Sequence, residues 1–127
     1  MMAPSWIEAA VRDFGRAAGL NDLSLNKRGT AAMRFENGMG LRFEYVEGEF
    51  VVAATVAVPA EAAVVRRILG FAHPEARFGV RVRAGYLARH GQAVFAVRLA
   101  AQDVTQPVIN LAFGALWRIA EEMGGEA

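Results

Sequence analysis

The chain has 127 residues, of which 54% are Ala, Val, Ile, Leu, Met, Phe, Trp or Tyr, 21% are charged and none is cysteine, and its net charge is +1. That composition excludes intrinsic disorder, collagen-like and low-complexity chains, disulfide scaffolds, thiolate metal sites and cysteine nucleophiles. A chain of this length is expected to form one domain, residues 1–127, and to carry more apolar residues than one small core needs, so an interface is expected to use the rest.

The first element is a helix. Ser5 and Glu8 have the S-x-x-E spacing of a capping box, and Ile7, Val11, Phe14 and Ala18 then recur on one face until Gly19 stops the helix. A loop over residues 20–29 leads to three strands. Met33 and Phe35 alternate with Arg34 and Glu36 before an Asn37-Gly38 turn, and Leu41, Phe43 and Tyr45 alternate with Arg42 and Glu44 before Glu47-Gly48. The third strand, Phe50–Val58, differs in having two apolar faces. Phe50, Val52, Ala54 and Val56 form one, and Val51, Ala53, Thr55 and Ala57 the other, so it is covered on both sides or has a face awaiting a partner.

Pro59 suits the start of a second helix whose buried stripe is Val64, Val65, Ile68, Leu69 and Ala72, ended by Gly70 or by His73-Pro74. Val80 and Val82 alternate with arginines in a fourth strand that runs on towards Tyr86 and Leu87. Arg89–Gln92 is a turn, and Phe95, Val97 and Leu99 lie on one side of a fifth strand. The last helix begins at Asp103 with Gln106, or at Thr105. Its first stripe is Val108, Leu111, Ala112, Ala115, Ile119 and Met123, and Ile109, Phe113 and Trp117 form a second beside it. Gly124-Gly125 closes it. The order αβββαββα predicts an α+β fold with a twisted antiparallel sheet and helices packed on it.

No signal peptide is expected, because Met1–Trp6 has no basic run and Glu8, Arg12 and Asp13 interrupt the segment that follows. The longest charge-free runs, Phe50–Ala60 and Val104–Trp117, fall short of the roughly 20 residues of a membrane span. A cytoplasmic protein with no membrane insertion is the expectation. Catalytic patterns are missing: Gly38-x-Gly40 lacks the context of a dinucleotide loop, and there is neither a Walker sequence nor a G-x-S-x-G elbow. His73 and His90 lie in different elements, and Glu36, Glu44, Glu47 and Glu49 fall on polar faces or turns. No enzyme, cofactor or metal is predicted.

Charge is unevenly spread. Residues 1–61 carry −2, residues 62–102 carry +6 and residues 103–127 carry −3. Arg66, Arg67, Arg77, Arg81, Arg83, Arg89 and Arg98 form the basic group, with Phe78, Tyr86 and Phe95 nearby. An arginine-rich 66–98 face that tracks phosphates, as in a single-stranded nucleic-acid-binding domain, is therefore the alternative reading. The favoured reading rests on apolar surface, because sheet edges and apolar grooves bind extended peptides by strand addition.

Several segments resemble a known family. They are Ser5-Trp6-Ile7-Glu8 before an amphipathic helix, and Arg83-Ala84-Gly85-Tyr86-Leu87 before a short turn and the strand with Phe95, Val97 and Leu99. The final helix adds Leu111-Ala112-Phe113 and Leu116–Arg118. Together they resemble the SycN-type class I type III secretion chaperones. The resemblance implies a dimeric cytoplasmic protein that binds a non-globular N-terminal segment of a secreted effector or gatekeeper protein and keeps it secretion-competent. It implies a homodimer or a heterodimer with a second chaperone, and no nucleotide, nucleic acid or catalysis. By analogy, Ile68, Leu69, Phe71, Val80, Val82 and Tyr86 are the expected dimer interface. Ile7, Val11, Phe14, Phe43, Val51 and Ala53 are the expected client-binding residues. The chain departs from the acidic character of many members, with a pI near 8.3.

Overall fold

Amphipathic helices and alternating strands can hide their apolar sides only against each other, and here that produces two layers. The computed structural model describes residues 2–20, 22–71 and 80–124. The elements are α1 (Ser5–Ala17), β1 (Thr30–Arg34), β2 (Gly40–Val46), β3 (Glu49–Ala57), α2 (Ala62–Gly70), β4 (Arg83–Leu87), β5 (Gln92–Ala100) and α3 (Gln106–Gly124), with a short 3₁₀ turn at Ala101–Asp103. The order is αβββαββα, as the sequence predicts. The five strands form one antiparallel sheet in the order β1-β2-β3-β5-β4, so β5 lies between β3 and β4, and α2 is the crossover to the far edge.

Cross-strand register separates the two faces. Phe43, Val52 and Val97 form one ladder, and Leu41, Ala54 and Phe95 the next. All six side chains are buried. The three helices cover this inner face. Phe14 of α1 packs edge-on to Phe43 at 5.7 Å and to Phe113 of α3 at 5.3 Å, and Phe71, just after α2, meets Phe95 at 5.6 Å. The Arg67 guanidinium donates to the Glu122 carbonyl at 3.3 Å, tying α2 to the end of α3. The opposite face of the sheet carries no helix of the described residues.

Local details depart from the sequence reading in instructive ways. Ser5 is already helical and makes no side-chain cap. The Pro4 carbonyl instead accepts the N–H groups of Ile7 and Glu8, each at 3.1 Å. Gly19 takes φ +80 beyond the helix end. Gly15 lies against the following loop, where a Cβ would stand 2.8 Å from the Leu20 carbonyl oxygen and 2.9 Å from Leu23 Cβ. Pro59 precedes the second helix instead of opening it, and Glu61 occupies the N-cap position. The start of α3 is settled by Thr105, whose Oγ1 accepts the Val108 N–H at 3.3 Å. Of the expected first stripe of α3, Ala112, Ala115, Ile119 and Met123 are buried, and the buried arc widens beyond it. Ile109, Ala112, Leu116, Ile119 and Ala120 face inward, and Leu111 is 49% exposed. His73-Pro74, Phe78 and Gly125 lie outside the described residues.

The β2–β3 hairpin turns on Glu47 (φ 46) and Gly48 (φ 84), both in the left-handed region that a two-residue hairpin with the sheet's twist requires. Glutamate is poorly suited to that conformation, whereas asparagine tolerates it. Glu47→Asn is expected to stabilise the fold by about 0.5–1 kcal/mol, read as a higher urea midpoint with an unchanged slope. An unchanged or lower midpoint would contradict this.

Candidate protein-binding surfaces

Three surfaces remain once the core is subtracted. The first lies where α2 packs on the edge strand β4. Leu69 of α2 is 54% exposed, and Leu87, opposite Gln92 at the end of β4, is 46% exposed. Val64, Val80 and Tyr86 are half-buried and pack against the core. The Tyr86 hydroxyl is enclosed and has no hydrogen-bond partner among the described residues, an unusual state for a buried phenol.

The second surface lies at the opposite edge. Among the described residues strand β1 pairs only with β2, so its other side has no described strand beside it. Next to it Phe35, Phe113 and Trp117 form a half-buried aromatic cluster. Phe35 is 5.7 Å from Phe113 and 5.4 Å from Trp117, and Phe113 is 5.7 Å from Trp117. The Trp117 indole N–H donates to Glu121 Oε1, which fixes the ring on the surface of α3. An open strand edge beside an aromatic wall combines backbone hydrogen-bonding groups with side-chain pockets, the two components of strand addition.

The third surface is the bare outer face of the sheet. Val51, Ala53, Thr55, Val94 and Ala96 run down its middle, all half-buried, flanked by Arg34, Arg42, Arg83 and Arg98 and by Glu44 and Glu49. The two-sided apolar character of β3 in the sequence is thus resolved: one side is core, the other faces outward.

These placements correct part of the expected site. Ile7, Val11, Phe14 and Phe43 are enclosed by the chain's own core, each at 1% exposure or less. A side chain in that position has no surface to offer a client, because α1 spends its apolar stripe on the sheet. Val51 and Ala53 lie on the outer face and keep part of their surface. Of the expected dimer residues, Ile68, Phe71 and Val82 are likewise interior, whereas Leu69, Val80 and Tyr86 reach the surface. Phe35 and Leu87 were missed. Phe35 looks like any strand residue before a turn, and only the sheet order shows that its strand is an edge.

The arginines of residues 66–98 do not make one face. Arg66 and Arg67 belong to α2 on the helical side, Arg83 and Arg98 lie on the outer sheet face, Arg89 is in the β4–β5 turn, and Arg77 lies outside the described residues. Phe95 is buried and Tyr86 faces inward, so no described strand residue gives the outer face an aromatic ring on which a base could stack. Among the described residues no three His, Cys, Asp or Glu side chains converge to hold a metal ion, and no helix is long and apolar enough to cross a membrane.

A five-stranded antiparallel sheet with three helices on one side and this strand order is the fold of type III secretion chaperones. The ExsC–ExsE complex superposes with a TM-score of 0.76 at 20% identity, covering 95% of this chain and 92% of that one. The Yersinia pestis type III secretion chaperone SycH, in complex with a stable fragment of YscM2, gives 0.74 at 13% identity, with 92% and 98% covered. The HopA1–SchA chaperone–effector complex gives 0.72 at 13% identity, with 96% and 94% covered. Within that class, residues 6–124 match the family described as type III secretory system chaperone SycN, and the chain belongs to it. No curated protein gives a significant match. The nucleic-acid alternative draws no support from these comparisons.

Proposed function

We propose that this chain is a cytoplasmic, non-enzymatic chaperone that acts as a dimer, with itself or with a second chaperone, and holds the non-globular N-terminal segment of a secreted effector or gatekeeper protein ready for export. The observation that carries this reading is the unpaired edge of β1 beside the Phe35, Phe113 and Trp117 cluster. An extended client segment adds as a strand there, with alternate side chains against the aromatic rings. Such a segment makes its backbone hydrogen bonds without folding, so the chaperone does no chemistry and imposes no globular structure. The fold neighbours include a chaperone bound to its effector, which supports the same use of the fold.

The partner subunit is assigned to the α2–β4 surface. Leu69, Leu87, Val80 and Tyr86 supply apolar contact. Co-expression of the chain with the N-terminal regions of the secreted substrates of its own secretion system tests the proposal. A complex that survives gel filtration and disappears when that N-terminal region is deleted is the expected result. Failure of every such region to bind a well-folded chain would overturn it.

A further inference from the structure

The cross-strand ladders of the outer sheet face show an uneven distribution of charge that the client site at β1 leaves unused. One row reads Arg34, Gly40, Thr55, Val94 and Gly85 across the five strands, and the row above it reads Ala32, Arg42, Ala53, Ala96 and Arg83. The middle of both rows is small and uncharged, and no described acidic side chain belongs to either. A Cβ at Gly85 would meet nothing within 4 Å. The acids gather towards the other end of the strands, where Glu44, Glu47 and Glu49 line a depression of about 590 Å³ together with Arg98 and with Arg83 and Ala96 of the second row. Arg98 is paired with Glu49 at 3.5 Å. Arg42 reaches Glu44 only at 3.9 Å, with both side chains well exposed, so that contact holds it weakly. Arg83 is in none of the ion pairs among the described residues.

We propose that these two rows form a second client track, which takes an acidic stretch of the same secreted protein laid across the strands. Four inter-strand spacings of about 4.8 Å and two rows about 7 Å apart give a trough of roughly 130 Å². A stable subunit interface uses about 800 Å² per partner, so the trough suits a single chain segment and not a folded subunit. Arg34, Arg42 and Arg83 select negative charge along it, and the glutamate end repels that charge, which keeps the segment on these two rows. The inference rests on the chaperone reading and adds the chemistry of the bound segment.

The test uses the full chain and three probes: a synthetic peptide of about a dozen residues alternating glutamate with valine, its lysine counterpart, and an oligothymidine. The acidic peptide is expected to shift the backbone amide resonances of Thr55, Gly85 and Val94, with binding that weakens as salt is added. The double variant Arg42→Glu/Arg83→Glu should lose about tenfold or more in affinity. Gly85→Val, which fills the trough without changing charge, should also weaken binding while the fold is retained. Several outcomes would overturn the track: no acidic-peptide shifts, shifts confined to the α2–β4 edge, equal binding of the lysine peptide, indifference to the charge reversal, or tighter binding of oligothymidine. A chain that binds the acidic peptide here yet captures no secreted N-terminal region would refute the chaperone reading while leaving this surface intact.

Discussion

Phe14→Ala is expected to lower the unfolding free energy by about 3–5 kcal/mol. Phe14 is 1% exposed and sits where the two helices and the sheet meet, with its ring 5.7 Å from Phe43 and 5.3 Å from Phe113. Truncation removes both ring contacts and leaves a cavity that α1 and α3, each anchored elsewhere, cannot close. Total stability of a domain of this kind is about 5–15 kcal/mol, so the variant loses a large share of it. Urea denaturation measures the effect. The variant also separates core from client site: a near-normal midpoint together with lost client capture would return Phe14 to the binding surface.

Replacing Leu69 with glutamate is expected to do the reverse, abolishing the dimer while sparing the fold. Leu69 is more than half exposed on α2, and the neighbouring Ile68 carries the core contact. A carboxylate pressed into an apolar interface costs about 2–4 kcal/mol, equivalent to roughly a thirty- to thousandfold weaker dimer. Light scattering should then show the mass fall towards the 13.7 kDa of one chain, with circular dichroism unchanged. A variant that stays dimeric at low micromolar concentration would place the interface elsewhere.

The element order was legible because most strands announce themselves by alternation, the third by a continuous apolar run, and the turns by Asn37-Gly38, Glu47-Gly48 or Gly91. The client and dimer residues were less legible, for a physical reason. The stripe Ile7, Val11 and Phe14 marks the apolar side of α1 correctly, but a stripe does not say whether the chain's own sheet or another molecule covers it. The sheet order supplies that answer. Insertion of β5 between β3 and β4 sends α2 to the same side as α1 and α3, which buries Ile68 and leaves Val51 and Ala53 outside. In α3 the two adjacent stripes merge into one wide apolar arc, and sequence spacing alone did not show that Leu111 falls at its outer limit while Leu116 and Ala120 fall within it. Phe35 entered the aromatic cluster through a tertiary contact with α3 that no local pattern encodes.

The proposed chaperone holds its client segment in extended, non-globular form. Amide hydrogen exchange on the complex with a captured N-terminal region measures it directly. New protection is expected in a short stretch of the client and along β1 of the chaperone, with the rest of the client region exchanging as an unfolded chain. A client region protected throughout as a cooperatively folded domain, with β1 exchanging as it does in the free protein, would rule out strand addition at β1.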